Sequence, residues 1–315
     1  MIKFNYIKPL VWIFLIALFG CNSDNNTVNQ VPTDNPTTAA EPEKVPFLIE
    51  SITPANKKWS LVPIFSDEFE GTTISAKWNL EPQGHSDLNW PGRTPALFQK
   101  ESFKLDDGAL TIEVGVLPEP ITISPYGNPL TYKYYGGIMR SNVTTTVGHY
   151  YECKMKMNKT EMGGGFWLMG KNICGSKHEI DITESVGHVS SEAPSWAVKW
   201  DKIMHSNAIR RQTSCNEAIT QEMEKILDIK NSDKYYIYGF YWKSSTELLF
   251  YLDGEYVYTI TPPQAFDHEA FMQFSIESYN WNPIPETGSK VATESLENRL
   301  TFIDYILSYK LVDSN

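Results

Sequence analysis

From Lys234 to Thr261 apolar side chains alternate along the chain: Tyr235, Tyr236, Tyr238, Phe240 and Trp242, then Leu248, Phe250 and Leu252. A period of two places all but Tyr235 on one face of a half-buried strand and fits no helix. Asp253-Gly254 then supplies a hairpin turn, because glycine accepts positive φ there. The same grammar runs along the chain. Ser60–Phe65, Ser102–Leu105, Ala109–Val114 after the Asp106-Asp107-Gly108 turn, Tyr150–Met157, Phe271–Glu277 and Phe302–Ile306 all read as short strands. With aromatic residues at 13%, these segments predict an all-β chain, a two-sheet β-sandwich of the jelly-roll kind. Glu222–Ile226 is the one stretch that reads as a helical turn. No internal repeat at solenoid or propeller period is present.

The start of the chain reads differently. Lys3 and Lys8 precede an apolar run from Pro9 to Phe19, too short to cross a bilayer and typical of a secretory signal. It ends in Leu18-Phe19-Gly20-Cys21, the lipobox pattern of a bacterial lipoprotein. Residues 1–21 are therefore expected to be a signal peptide, with Cys21 lipidated. Residues 22–45, rich in Asn, Thr, Pro and Asp, lack the apolar surface to fold and are expected to be a tether. Asp24 is compatible with export to the outer surface, so the expected location is the outer membrane or cell surface. Residues 46–315 remain as one folded domain, expected to be a monomer. A net charge of −11 without a basic cluster excludes nucleic acid as a partner and offers no general field for any other polyanion. Any contact with an anionic group, sulfate included, would have to be local, with Arg93, Arg140, Arg210 and Arg211 as candidates. Cys153 lies in strand-like sequence and reads as a buried small hydrophobe. Cys174 and Cys215 lie in polar loop sequence and are expected to pair. No spacing suggests zinc or iron.

The chemistry concentrates in Lys177-His178-Glu179-Ile180-Asp181-Ile182-Thr183-Glu184-Ser185. In a regular strand Glu179, Asp181 and Thr183 share a face and Glu184 takes the other. A β-bulge near Ile182-Thr183 would return Glu184 to the face of the other two acids. Three carboxyls on one face raise at least one pKa, and one ionised carboxylate beside one protonated carboxyl is what glycoside hydrolysis requires. The bare pattern is equally that of a solvated acidic edge strand. Just upstream, Gly163-Gly164-Gly165 permits close backbone approach to a neighbouring strand or a ligand. Trp167 alternates with Phe166 and Leu168, as core or as a stacking platform. The loop from Glu81 to Leu97 carries His85, Trp90 and Arg93.

These segments resemble glycoside hydrolase family 16. Phe65-Ser66-Asp67-Glu68-Phe69-Glu70-Gly71 resembles its opening strand, and Trp90-Pro91-Gly92-Arg93-Thr94-Pro95-Ala96-Leu97-Phe98 resembles a segment of its red-algal galactanase branches. Phe166–Met169 and Glu179–Glu184 resemble its active-site strands, and Phe302–Ile306 its closing strand. The resemblance implies a concanavalin-like jelly roll with an open substrate cleft, residues 46–315 as the catalytic domain, and a retaining endo-hydrolase acting by double displacement. Glu179 would be the nucleophile, Glu184 the general acid and base, and Asp181 would lie between them. It also implies that Trp90, Trp167, His205, Glu277 and Trp281 contact substrate, and Arg93 and Arg140 join them as candidate sulfate contacts. Where agarases often carry further histidines, this chain has Asn207 and Ala208, which puts the identity of the sugar bound there in doubt. Catalysis would need no cofactor, and a structural Ca²⁺ would be held by Asp304 with carbonyls near Glu70 and Gly108.

The Trp90–Phe98 loop and the bulge favour a red-algal galactan, whether agar, porphyran, carrageenan or furcellaran. A laminarinase and a lipid-anchored glycan-binding protein on the same fold are the competing readings. Against the first, no tryptophan-methionine run surrounds the acids. Against the second, all three carboxylates are intact.

Overall fold

The computed structural model describes residues 52–82 and 90–314. The signal segment, Cys21, the tether and His85 lie outside the described residues. The strands, in chain order, are β1 (Lys57–Leu61), β2 (Trp78–Asn79), β3 (Ala96–Phe98), β4 (Phe103–Asp106), β5 (Ala109–Glu113) and β6 (Gly115–Ile123). Then come β7 (Leu130–Thr145), β8 (His149–Lys156), β9 (Gly163–Gly170), β10 (His178–Val186), β11 (Ile203–Arg210) and β12 (Ile219–Ile226). The series closes with β13 (Tyr236–Ser244), β14 (Glu247–Leu252), β15 (Glu255–Ile260), β16 (Ala270–Glu277) and β17 (Leu300–Asp313).

They form two sheets. One runs β15-β14-β13-β8-β17-β5-β4, with β1 on β17; the other runs β12-β11-β10-β9-β16-β7-β2, with β3 and β6 on β7. Every pairing is antiparallel except that of β3 with β7. The alternation read in the sequence decides which side chains meet between the sheets. Phe166 and Leu168 of β9, Ile180 and Ile182 of β10 and Phe274 of β16 point inward and pack with Cys153, Phe240, Trp242, Phe250, Ile303 and Ile306 from the opposite sheet. Their neighbours one residue along, Trp167, Met169, Glu179 and Asp181, therefore point outward to line the second sheet's outer face. The β14–β15 hairpin turns at Asp253-Gly254, both at positive φ.

Two sequence expectations change. Glu222–Ile226 is strand, not helical turn. Its residues belong to β12, which pairs along its full length with β11 and is exposed throughout, so edge pairing with β11 overrides the local charge pattern. Ser60–Phe65 divides into the end of β1 and a 3-10 turn at Pro63–Phe65, because proline cannot donate to a ladder. Gly165 is required by sheet packing: a Cβ there would lie 1.8 Å from the Thr183 carbonyl oxygen. The three-glycine run thus serves close approach of β9 to its neighbouring strands.

Candidate active site

The bulge stands where the acid spacing demands it. Between β10 and β9, Asp181 pairs with Trp167 and Thr183 with Phe166, so Ile182 is the extra residue. Against β11, Asp181 pairs with Asn207 and Glu184 with His205, across the same irregularity. Ile182 stays in the core while Glu184 joins Glu179 and Asp181 in one cleft of about 570 Å³. Trp90, Arg93, Trp167, Glu277 and Tyr279 line one part of that cleft, and Lys177, Arg211, Gln212 and Ala218 another.

Each acid has a distinct setting. The Glu179 carboxylate is nearly buried and takes the Arg211 guanidinium on Oε2, from Nε at 2.9 Å and from Nη2 at 2.8 Å. Asp181 accepts a hydrogen bond from Asn207 Nδ2 at 2.8 Å. Glu184 accepts a longer one from the same amide at 3.4 Å, and His205 Nδ1 lies 3.6 Å from its Oε2. Burial, followed by the charges of Glu179 and Glu184, holds Asp181 well above the usual carboxylate range. Burial also pushes Glu179 up, against the opposing charge and hydrogen bond of Arg211. For Glu184 burial acts upward too, but hydrogen bonds from His205 and Tyr279 outweigh it and leave the group below its ordinary value. Of the three acids, Asp181 is therefore the one whose neutral form its surroundings favour most. Desolvation by a bound sugar would favour the neutral form of Glu184, the form an acid catalyst needs.

Glu277 is buried on β16 and pushed up to about 7 by burial, with Arg93 acting in the opposite sense. Arg93 Nε donates to its Oε2 at 2.8 Å and the guanidinium sits 5.2 Å from the centroid of the Tyr279 ring. Trp167 Nε1 donates to Ser275 Oγ, and its ring meets Trp90 edge-on at 6.3 Å. His205 packs against Trp200 at 4.6 Å and so reaches an aromatic group of Trp200, Trp281, Trp196 and Tyr279.

The expected residues therefore fall into three sets. Trp90, Arg93, Trp167, Glu277 and the three carboxylates line the cleft. His205 and Trp281 stand beside it, behind Glu184 and Tyr279. Arg140 does not reach the lining: it is buried on β7 with its guanidinium 4.2 Å from the centroid of the Phe271 ring. Arg210 points away as well, with its Nη2 donating to the Glu217 carbonyl. Sequence reasoning missed Tyr279 and Asn207 as partners of the acids, and it took Arg211 only as one of four sulfate candidates. The exchange at Asn207 was visible in the sequence as a departure from the agarase pattern, but its contact with Asp181 needed the register.

Cys174 and Cys215 form a disulfide, and Cys153 is free and buried. On the opposite sheet Asp304 pairs with Lys154 Nζ, and the Glu70 carboxylate approaches Gly108, with Oε2 3.3 Å from where a Cβ would stand. No group of three or more His, Cys, Asp or Glu side chains among the described residues could hold a metal ion.

Residues 59–311 match the family described as Beta-porphyranase A-D, GH16 domain. The chain belongs to glycoside hydrolase family 16. It is similar to Beta-porphyranase B of Zobellia galactanivorans, 39% identical over 268 residues, which cover 82% of this chain and 87% of that protein. A Beta-porphyranase B of Phocaeicola plebeius is 28% identical over 286 residues, covering 82% and 87%. The crystal structure of porphyranase B from Zobellia galactanivorans superimposes with a TM-score of 0.76 at 36% identity, covering 86% of this chain and all of that one. Beta-agarase A in complex with oligoagarose shares the fold, with a TM-score of 0.64 at 21% identity. The family makes this chain a glycoside hydrolase, and its catalysis needs no cofactor.

Proposed function

We propose that this family 16 hydrolase cleaves β-linked galactan of red-algal cell walls within the polymer, with porphyran as its first substrate. The observation that carries the reading is the bulge at Ile182, which gathers three carboxylates in an open cleft. Support for porphyran comes from the names of its relatives. Glu179 attacks the anomeric carbon while Glu184 gives its proton to the departing oxygen. Water then attacks the glycosyl ester, Glu184 takes the water's proton, and Glu179 leaves as carboxylate. Asp181 lies between the two glutamates and accepts a hydrogen bond from Asn207 Nδ2. Two displacements give net retention.

The test is reducing-end release by the full chain on porphyran, agarose, carrageenans, furcellaran, laminarin and lichenan, with NMR of the first-formed anomer. Release from porphyran with retained configuration is expected. Glu179→Gln and Glu184→Gln should each lose more than a hundredfold in kcat with an unchanged melt. Release from laminarin alone would replace the substrate reading, and gel retardation without any release would replace the enzyme.

Lipid on Cys21 would tether a single-chain enzyme to the outer membrane, and Cys21→Ser should move the protein from the membrane fraction to the soluble one. A structural Ca²⁺ between Asp304 and carbonyls near Glu70 and Gly108 would have to displace Lys154 from Asp304. With the ion bound, chelation lowers Tm; an unchanged Tm rejects the site.

A further inference from the structure

Two arginines line the cleft, and each lies against a buried carboxylate. Arg93 meets Glu277, which the displacement does not use. Arg211 meets Glu179, the attacking group. Both of its contacts fall on one oxygen, Oε2, at 2.9 and 2.8 Å. The cation is held in place by its own loop. The Arg211 backbone N–H donates to the Lys177 carbonyl at 2.8 Å, its carbonyl accepts from Asn216 Nδ2 at 3.0 Å, and the Cys174–Cys215 disulfide joins the two loops.

We propose that Arg211 is a positioning residue of the hydrolysis: it clamps Oε2 of Glu179, presents Oε1 as the attacking atom, and keeps this carboxylate ionised beside Asp181. The inference rests on the nucleophile assignment above. A carboxylate buried among acids does not stay charged unaided. Asp181 and Glu184 face Glu179 from its own strand and Glu277 from β16. On the cationic side stand Arg211, Lys177 from the turn before β10 and, towards Glu184 and Glu277, Arg93; His205 of β11 stands against Glu184. Of the influences that favour the charged form of Glu179, the Arg211 charge and hydrogen bond are the largest.

The clamp also suits both half-reactions. As Oε1 bonds to the anomeric carbon and the leaving oxygen takes the proton of Glu184, Glu179 becomes a neutral ester and its hold on Arg211 weakens. When water attacks that carbon and the ester bond breaks, its electron pair returns to Glu179, and the guanidinium is already in place to receive the charge.

Two measurements on the full chain test this with Arg211→Gln and Arg211→Lys. The first is titration of the Glu179 carboxyl by carbon NMR, assigned with Glu179→Gln, which needs no substrate. The second is the pH profile of kcat/KM on porphyran. In Arg211→Gln the Glu179 midpoint and the acid limb should both move up by about one pH unit or more, with Arg211→Lys between it and the wild type. A Glu179 midpoint that stays in place in both variants overturns the inference. So does a rise in KM alone with the acid limb fixed, which would make Arg211 a substrate contact only. Failure of the wild type on every galactan would instead overturn the functional reading, while the titration still decides the role of Arg211. Should the Gln variant fail to fold, Arg211→Lys carries the same comparison.

Discussion

Glu277 illustrates how burial and a neighbouring cation divide the behaviour of one side chain. Its carboxyl is pushed up to about 7 although Arg93 donates to it at 2.8 Å, because burial outweighs a guanidinium that is itself partly in solvent. Between the ordinary carboxylate value and about 7 the folded protein holds a proton that the unfolded chain has released. Stability therefore falls as pH rises through that window. Glu277→Gln lacks this linkage. The Tm of the variant minus that of the wild type should grow more positive from pH 5 to pH 8, in thermal melts at matched ionic strength. A difference that does not change with pH would remove the buried-acid account of Glu277. The same balance explains Asn207, whose neutral amide can bridge Asp181 and Glu184 at 2.8 and 3.4 Å whichever of them is protonated.

At the scale of elements, β10 works because its two faces have different tasks. Ile180 and Ile182 anchor it in the core, so the bulge can turn Glu184 without loosening the strand. The loops on its far side are less well supported by packing, and there the Cys174–Cys215 bond takes over. It closes a segment of sequence separation 41 that contains all of β10 and β11. Cys174→Ser/Cys215→Ser should cost about 2–4 kcal/mol of stability. It should also lower kcat/KM, since Arg211 and Gln212 line the cleft from the loop it ties. Denaturant melts and activity with and without reductant check both, and a full loss of stability with kcat/KM intact would detach the disulfide from the site.

The whole molecule carries a net charge of −11, and its cleft arginines are each engaged with a carboxylate. Long-range electrostatics therefore opposes the approach of a sulfated chain, while recognition is short-range. Raising salt to about 0.1 M shortens the Debye length to about 10 Å and screens the repulsion more than the contacts in the cleft. The value of kcat/KM on a sulfated galactan should rise over that interval and stay level on neutral agarose. A steep fall on the sulfated polymer would mean that a cationic field drives binding.

Much of this was legible in the chain itself. A period of two, turn dipeptides such as Asp253-Gly254 and an aromatic-rich composition determine a sandwich, because only strands bury every second residue. The acid spacing determines that a bulge is needed, because an odd step between Asp181 and Glu184 cannot keep one face. What only the tertiary structure decided was contact across long separations. Arg211 reaches Glu179 because β10 and β11 are antiparallel and in a particular register. Arg140, equally plausible in sequence, is buried beside Phe271 by the pairing of β7 with β16. Glu222–Ile226 became strand because β11 offered it an edge. Local pattern sets which face a side chain takes; the partner it meets there is set by register, and register belongs to the whole sheet.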